Sequence, residues 1–339
     1  MALARGPRMF RSNAMPFGFR IVGSVHNERR LVDSSAAFVA YSQCDDRAEV
    51  NREAYLSAFC FGTEFQTLLD STGSTKGYAG DCWSSWLWFD IDRDDIDAAL
   101  SGCQTLASLL IERYALDDDG LLLFYSGSKG FHVGLPLSLC GAVLPSGLFN
   151  AACRRLAEAL ASRAGVAIDT GVYDKVRAFR APNSRHGKTG RYKRWLDLDS
   201  LIRLSASSIV ELAAVPWAFE LPEPPGENAQ AVIDWSEAMA LATEQEQAAT
   251  EQRTAGTSTG NAAPGRLLNR STTDFMRDGA TTGDRHRTLF SAAANLAEFG
   301  CGFDLAWALL SEAALDSGLA PAEVRRQIQC GLGHQRGTI

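Results

Sequence analysis

An apolar run that ends in two carboxylates constrains this chain more than any other feature: Trp83-Ser84-Ser85-Trp86-Leu87-Trp88-Phe89-Asp90-Ile91-Asp92. Trp86, Trp88, Phe89 and Ile91 are aromatic or β-branched, and a short run of this kind bounded by polar residues predicts a buried strand rather than a helix. Residues two apart on a strand share a face and lie roughly 6–7 Å apart. Asp90 and Asp92 therefore stand together, while Leu87, Phe89 and Ile91 turn to the other face. Like charges at the end of an apolar strand repel one another and resist burial, so a positive partner is expected between them, and a divalent metal pair meets that need. Taken alone, such a pair is more often solvated surface or a helix cap. Asp90, Asp92 and Asp94 also mimic the start of a calcium loop, but that loop needs Gly at its sixth place and Glu at its twelfth, where this chain has Asp95 and Ser101. Asp94, Asp95 and Asp97 fit better as N-terminal acids of a helix running to about Tyr114.

The chain's 339 residues, 46% of them hydrophobic, suffice for one substantial core and a second small domain. Its 8 cysteines include no C-x-x-C pair, which predicts reduced thiols in a cytoplasmic protein, with no disulfide framework and no zinc. No apolar run approaches 18 residues and no charged-then-apolar leader is seen, so neither a membrane span nor a secretion signal is expected. The net charge of −7 argues against unspecific coating of nucleic acid. Locally the sign reverses. Between Lys175 and Arg194 stand eight basic residues, Lys175, Arg177, Arg180, Arg185, Lys188, Arg191, Lys193 and Arg194, and no acid. A run of this kind is commonly a solvated face, and its place after the acidic and lysine motifs makes it a candidate for phosphate contact.

Along the chain, residues 1–17 read as a loose tail, and Phe19 to about Val32 as an early strand. Residues 46–70 read as a helix, with Ala54, Leu56, Phe59, Phe65 and Leu68 as its apolar positions, followed by a polar loop to Gly80. Leu121 to Pro136 forms two apolar runs around a Gly-rich turn, which predicts a hairpin. A helix is expected from about Gly147 to Ala164, then a short strand Val166-Ala167-Ile168-Asp169, with mixed elements over Leu198 to Val215 closing a domain of residues 18–220. Residues 221–282 change to Pro-, Ala-, Gln- and Thr-rich composition and read as linker, with a possible helix from Asp234 to Gln252. Residues 283–339 form a small helical unit with Leu289, Ala293, Leu296, Leu305, Leu309, Leu310, Val324 and Ile328 as its core.

Two further stretches carry chemistry. The turn Ser126-Gly127-Ser128-Lys129-Gly130-Phe131-His132 sets hydroxyls, a lysine and a histidine around two glycines that let a backbone approach an anion. It could equally be a flexible tip with an incidental basic residue. A Walker loop is excluded, because Gly187-Lys188-Thr189 has Pro182 where the first glycine belongs. The other stretch is Ile168-Asp169, then Asp174, then Arg180-Ala181-Pro182-Asn183-Ser184-Arg185-His186. Two divalent metals need more than two carboxylates, and Asp169 ends an apolar segment as Asp92 does. Asp174 is the rival for that place, and either could be an ordinary turn aspartate.

In this order, an apolar strand with D-x-D, S-G-x-K-G-x-H on a hairpin, and an apolar-Asp followed by Arg-Pro-Asn-Ser-x-His, the chain resembles the archaeo-eukaryotic primase superfamily, in particular the primase-polymerases of phages and plasmids. The resemblance covers about residues 20–215. It implies an α/β (α+β) core, with an α/β module and an RRM-like antiparallel sheet module flanking one cleft, followed by a small all-α C-terminal domain. By that likeness Asp90, Asp92 and Asp169 would bind two Mg²⁺ or Mn²⁺ ions. Ser126, Ser128, Lys129 and His132 would hold the incoming triphosphate, with Arg180, Asn183 and His186 opposite. The zinc-binding insertion that many members carry is not seen. The activity implied is metal-dependent, template-directed nucleotidyl transfer that makes or extends primers on single-stranded DNA from nucleoside triphosphates, with unwinding left to a separate replicative helicase. A catalytically silent single-stranded nucleic-acid-binding accessory protein is the alternative, and a gap-repair polymerase acting beside a ligase is a third.

Overall fold

A computed structural model describes residues 15–257, 268–280 and 283–333 of the chain. Most of the expected tail, residues 258–267 and 281–282 of the expected linker, and residues 334–339 of the expected helical unit lie outside these. The chain divides into two compact units, Met1–Gln252 and Arg253–Ile339. In chain order the strands are β1 (Phe17–Val22), β2 (Arg30–Asp33), β3 (Ala54–Ser57), β4 (Cys60–Phe61), β5 (Cys82–Trp83), β6 (Trp86–Asp92), β7 (Leu122–Tyr125), β8 (Gly130–Pro136), β9 (Ala178–Arg180) and β10 (Arg194–Leu196). The first unit holds two antiparallel sheets. One runs β5-β4-β1-β3-β9 with β2 on β1, and the other runs β10-β7-β8-β6.

The acid-bearing strand forms where expected. Leu87, Phe89 and Ile91 of β6 are buried under α3 (Ile96–Tyr114) and α4 (Phe149–Ala164), whose inner faces supply Leu100, Cys103, Leu106, Leu110, Phe149, Leu156 and Leu160. Each such side chain contributes roughly 1.5–3 kcal/mol by leaving water. Asp95 caps α3 by accepting the Asp97 N–H at 3.0 Å, as the run of acids predicts. The hairpin of β7 and β8 sets Asp90 directly across from His132 and Asp92 across from Gly130. On the face away from the helices, Trp88 of β6 meets Phe179 of the other sheet at 5.5 Å between centroids, and His132 meets the same ring at 4.4 Å. The acid pair therefore sits at the seam between the two sheets.

Three expectations are corrected. Residues 46–70 are not one helix: Ala54 and Leu56 are buried with Tyr55 and Ser57 on the other side of β3, a period of two, and helical structure is confined to a short 3-10 turn at Asp46–Ala48 and to Thr63–Thr72 (α2). The early strand is two, β1 and β2, which pair from Phe17↔Asp33 to Arg20↔Arg30 ahead of α1 (Ser34–Ser42). The expected strand at Val166–Asp169 does not form a ladder. The segment touches β6 through one backbone bond, Asp169 N–H to the Asp90 carbonyl at 2.8 Å. The path β6-α3-β7-β8-α4 and this segment still follows a β-α-β-β-α-β order, its last element reduced to an extended stretch beside the first.

Beyond β10, α5 (Leu198–Arg203) and α6 (Ala206–Leu212) pack against α3. The compact unit then continues past residue 220 into what read as linker. Ala231, Trp235, Ala238 and Ala242 of α7 (Ala229–Thr257) are buried in the same core. Asp234 accepts from Arg113 at 2.6 Å and from the Tyr114 hydroxyl at 2.7 Å, tying α7 to α3. The second unit packs α8 (Arg270–Asp278), α9 (Arg285–Glu298), α10 (Phe303–Asp316) and α11 (Pro321–Gly333) around Phe275, Leu289, Leu296, Leu310, Val324 and Ile328. Phe275 places α8 with the helices rather than with the linker, and Leu305, expected in this core, is exposed. No helix among the described residues is long and apolar enough to cross a membrane.

Candidate active site

Asp90 and Asp92 occupy one face of β6, and the Asp169 backbone is bonded to Asp90 itself, so the structure brings the three expected acids to one end of the strand. The Asp90 side chain is mostly buried, and its Oδ1 has no hydrogen-bond partner. His132 Nε2 stands 3.4 Å from that oxygen. Burial works against ionisation of Asp90 and is outweighed by His132, Lys193 and Arg177, so the carboxyl titrates below the ordinary carboxylate range. Burial, then Lys193, pushes His132 down to about 4 against the pull of Asp90. At neutral pH His132 is thus an uncharged imidazole, which leaves Arg177 among the charges that favour the ionised Asp90. Asp92 moves the other way, raised by burial and then by the negative charges of Asp90 and Asp169.

A buried carboxylate oxygen with no well-formed hydrogen bond and with His132 Nε2 at 3.4 Å, beside a second acid whose ionisation burial and its neighbours resist, fits a divalent cation. The fit is partial. Among the described residues no three His, Cys, Asp or Glu side chains form a ready metal cage. The Asp169 carboxylate accepts the Gly171 N–H at 2.8 Å, capping the short turn at Thr170–Tyr173, and lies 3.9 Å from Arg177. Asp174 ends that turn, exposed, and is not among the charges that act on Asp90 or Asp92, which favours Asp169 as the third acid.

The Ser126–Gly130 turn is built from within. Ser126 Oγ accepts the N–H groups of Ser128 at 3.4 Å and Gly130 at 3.2 Å, and the Tyr125 hydroxyl donates to the Ser128 carbonyl at 2.6 Å. Gly127 adopts φ 88°, the left-handed region that favours glycine. Lys129 is exposed at the tip, 3.6 Å from the still more exposed Asp94, a pairing that costs little to break. Ser126 therefore braces the loop, Ser128 is half-buried behind it, and Lys129 is the side chain free to meet an anion. His132, expected beside Lys129, is buried with the acids instead.

From the other sheet, Arg180 of β9 donates through Nη2 to Glu53 at 3.3 Å and to the Tyr55 hydroxyl at 3.1 Å, with its guanidinium over the Tyr55 ring at 4.9 Å. Its Nη1 is buried without a partner. Glu53 and Tyr55 thus hold Arg180 flat with one donor edge unused. His186 accepts the Lys188 and Thr189 N–H groups through Nδ1 at 3.1 and 3.3 Å, and burial with nearby Arg180 lowers its pKa. Asn183 is a correction. It is fully buried at φ 55°, and its side chain is spent on the carbonyls of Tyr41, Ser42 and Trp217 and on the Trp217 N–H, so it cannot also bind phosphate.

Sequence reasoning missed Glu53 and Tyr55, which lay inside a supposed helix; the period-two burial of Ala54 and Leu56 was the available signal. It also left Lys193 in a general basic run. That ammonium is wholly buried, donating to the Arg180 carbonyl at 3.0 Å and lying 4.3 Å from the Phe179 ring, 4.7 Å from Phe124 and 5.2 Å from Trp88. Burial pushes its pKa well down, against the pull of Asp90.

No family model matches the sequence, and no curated protein matches it. Among solved structures the chain is similar to one described as the crystal structure of primase RepB', over 95% of this chain and 91% of that one, at 13% identity and a TM-score of 0.34. A likeness that loose carries no argument about fold or activity.

Proposed function

We propose that the first unit is a metal-dependent nucleotidyltransferase of the primase-polymerase kind, which makes or extends primers on single-stranded DNA. The observation that carries this reading is the buried Asp90 carboxylate, its Oδ1 without a well-formed hydrogen bond, set beside Asp92 on a residue whose backbone carbonyl accepts from Asp169, at the seam of two sheets. The β-α-β-β-α-β path around that seam agrees with an RRM-like module. Asp90 and Asp92, with Asp169, would hold Mg²⁺ or Mn²⁺, which when bound would make the attacking 3′-hydroxyl more acidic and offset charge on the reacting phosphate. Lys129 and the unused edge of Arg180 would take the triphosphate, and neutral His132 would steady Asp90 without adding charge. Charge stabilisation and positioning are then the whole of the chemistry, and no covalent nucleophile is required.

The test is incorporation of labelled nucleotides on single-stranded DNA. Replacing Asp90 and Asp92 together with asparagine is expected to lower the rate by about a thousandfold or more, and rates that survive the double change overturn the assignment. Lys129→Ala and Arg180→Ala should act chiefly on the nucleotide KM.

A further inference from the structure

An exposed tryptophan is held on this unit with unusual care. Trp217 is 55% exposed, yet the buried Asn183 grips both its backbone groups, accepting its N–H at 2.9 Å and donating to its carbonyl at 3.1 Å. The Arg194 guanidinium lies over the indole at 4.7 Å. Arg194 is itself only 8% exposed, and its Nε and Nη1 are buried without partners. Val215 on the same segment is also exposed. The segment's own acids, Glu211 and Glu220, are exposed, so positive charge here comes from elsewhere.

It comes from the basic hairpin over Arg185–Tyr192. Arg185 and Tyr192 bridge its arms, and Arg185 and Lys188 are exposed. At one end Thr189 Oγ1 donates to the Gly127 carbonyl at 2.5 Å, anchoring the hairpin on the Ser126–Gly130 turn. At the other, the Tyr192 N–H donates to the Ala213 carbonyl at 2.8 Å, four residues before Trp217. The exposed Arg185 and Lys188 thus ride on a hairpin bonded at one end to the lysine turn and at the other to the segment that carries the open Trp217 face. Positive side chains near an open aromatic plane are the chemistry that binds an unpaired strand, with phosphates on the charges and a base on the ring.

We propose that Trp217, backed by Arg194, is a stacking platform for a base of single-stranded nucleic acid. The inference rests on the nucleic-acid part of the reading above and not on its catalytic part. The experiment uses the full chain with EDTA present, titrated into a labelled oligothymidylate and, separately, an oligouridylate, with fluorescence anisotropy as readout. Trp217→Ala is expected to weaken binding about tenfold or more, Trp217→Phe to restore most of it, and both variants to keep the wild-type unfolding midpoint. The DNA and RNA arms show which sugar the platform prefers. Wild-type affinity in Trp217→Ala, equal weakness in both variants, the same Trp217 dependence on a duplex, or no binding by the wild-type chain would each overturn the platform. If the wild type incorporates no nucleotide yet shows the Trp217 dependence, the catalytic reading fails and the platform stands. If it incorporates nucleotides and the dependence is missing, only the platform falls.

Discussion

Gly130 lies across the ladder from Asp92, and any side chain there would run into Asp92 Oδ1 and the Ile91 carbonyl. Gly130→Ala should therefore cost about 1–3 kcal/mol, read from urea denaturation, and should lower nucleotide incorporation by displacing the carboxylate. His132 predicts an acid response in the metal-free chain. Its pKa falls from 6.5 to about 4 on folding, so between those values the unfolded chain binds more protons. The stabilisation is complete above about pH 6.5 and is lost as the pH falls to 4, up to about 3 kcal/mol. His132→Asn should flatten that slope in denaturation series run in EDTA. Asp92, raised by its neighbours, acts with the opposite sign and loses stability as the pH rises through its folded value. At this scale the acids were legible because strand alternation fixes which side chains share a face. Asn183 was not, because its neighbours Tyr41 and Trp217 are 142 and 34 residues away and no local pattern announces them.

The hairpin and the helices α3 and α4 could be read from the sequence because each has a clean period and its own cap or turn. The stretch 46–70 could not, since short strands β3 and β4 take their partners from β1, β5 and β9 rather than from one another. The same holds for Val166–Asp169, whose apolar composition promises a ladder that geometry reduces to one bond. The sequence offers α7 as a possible helix but not its burial, because its Ala, Gln and Glu content hides a narrow buried stripe at Ala231, Trp235, Ala238 and Ala242. Its attachment is testable. Asp234 accepts from Arg113, Tyr114 and Gln230 while itself nearly buried. Asp234→Ala should cost about 2–4 kcal/mol by leaving those donors unpaired, with Asp234→Asn recovering part of it in thermal unfolding. A chain cut after residue 220 should lose far more stability than one cut after 252.

Two compact units, each with its own main apolar core, make the chain two folding problems, and the sequence showed the helical one by its spaced leucines although its first helix, α8, was hidden in polar surroundings. Leu310→Ala, in the second core, should cost about 2–5 kcal/mol and shift one calorimetric transition while leaving that of the larger unit in place. Within the larger unit, Asp90 and Asp92 ride on one sheet and Arg180 on the other, beside Phe179, whose ring meets Trp88 and His132 across the seam. The proposed catalytic gap is therefore not cut into a single rigid wall. It is a joint whose width is gauged by one aromatic ring, so trimming that ring would change which substrate can be seated well before it touched any reacting group.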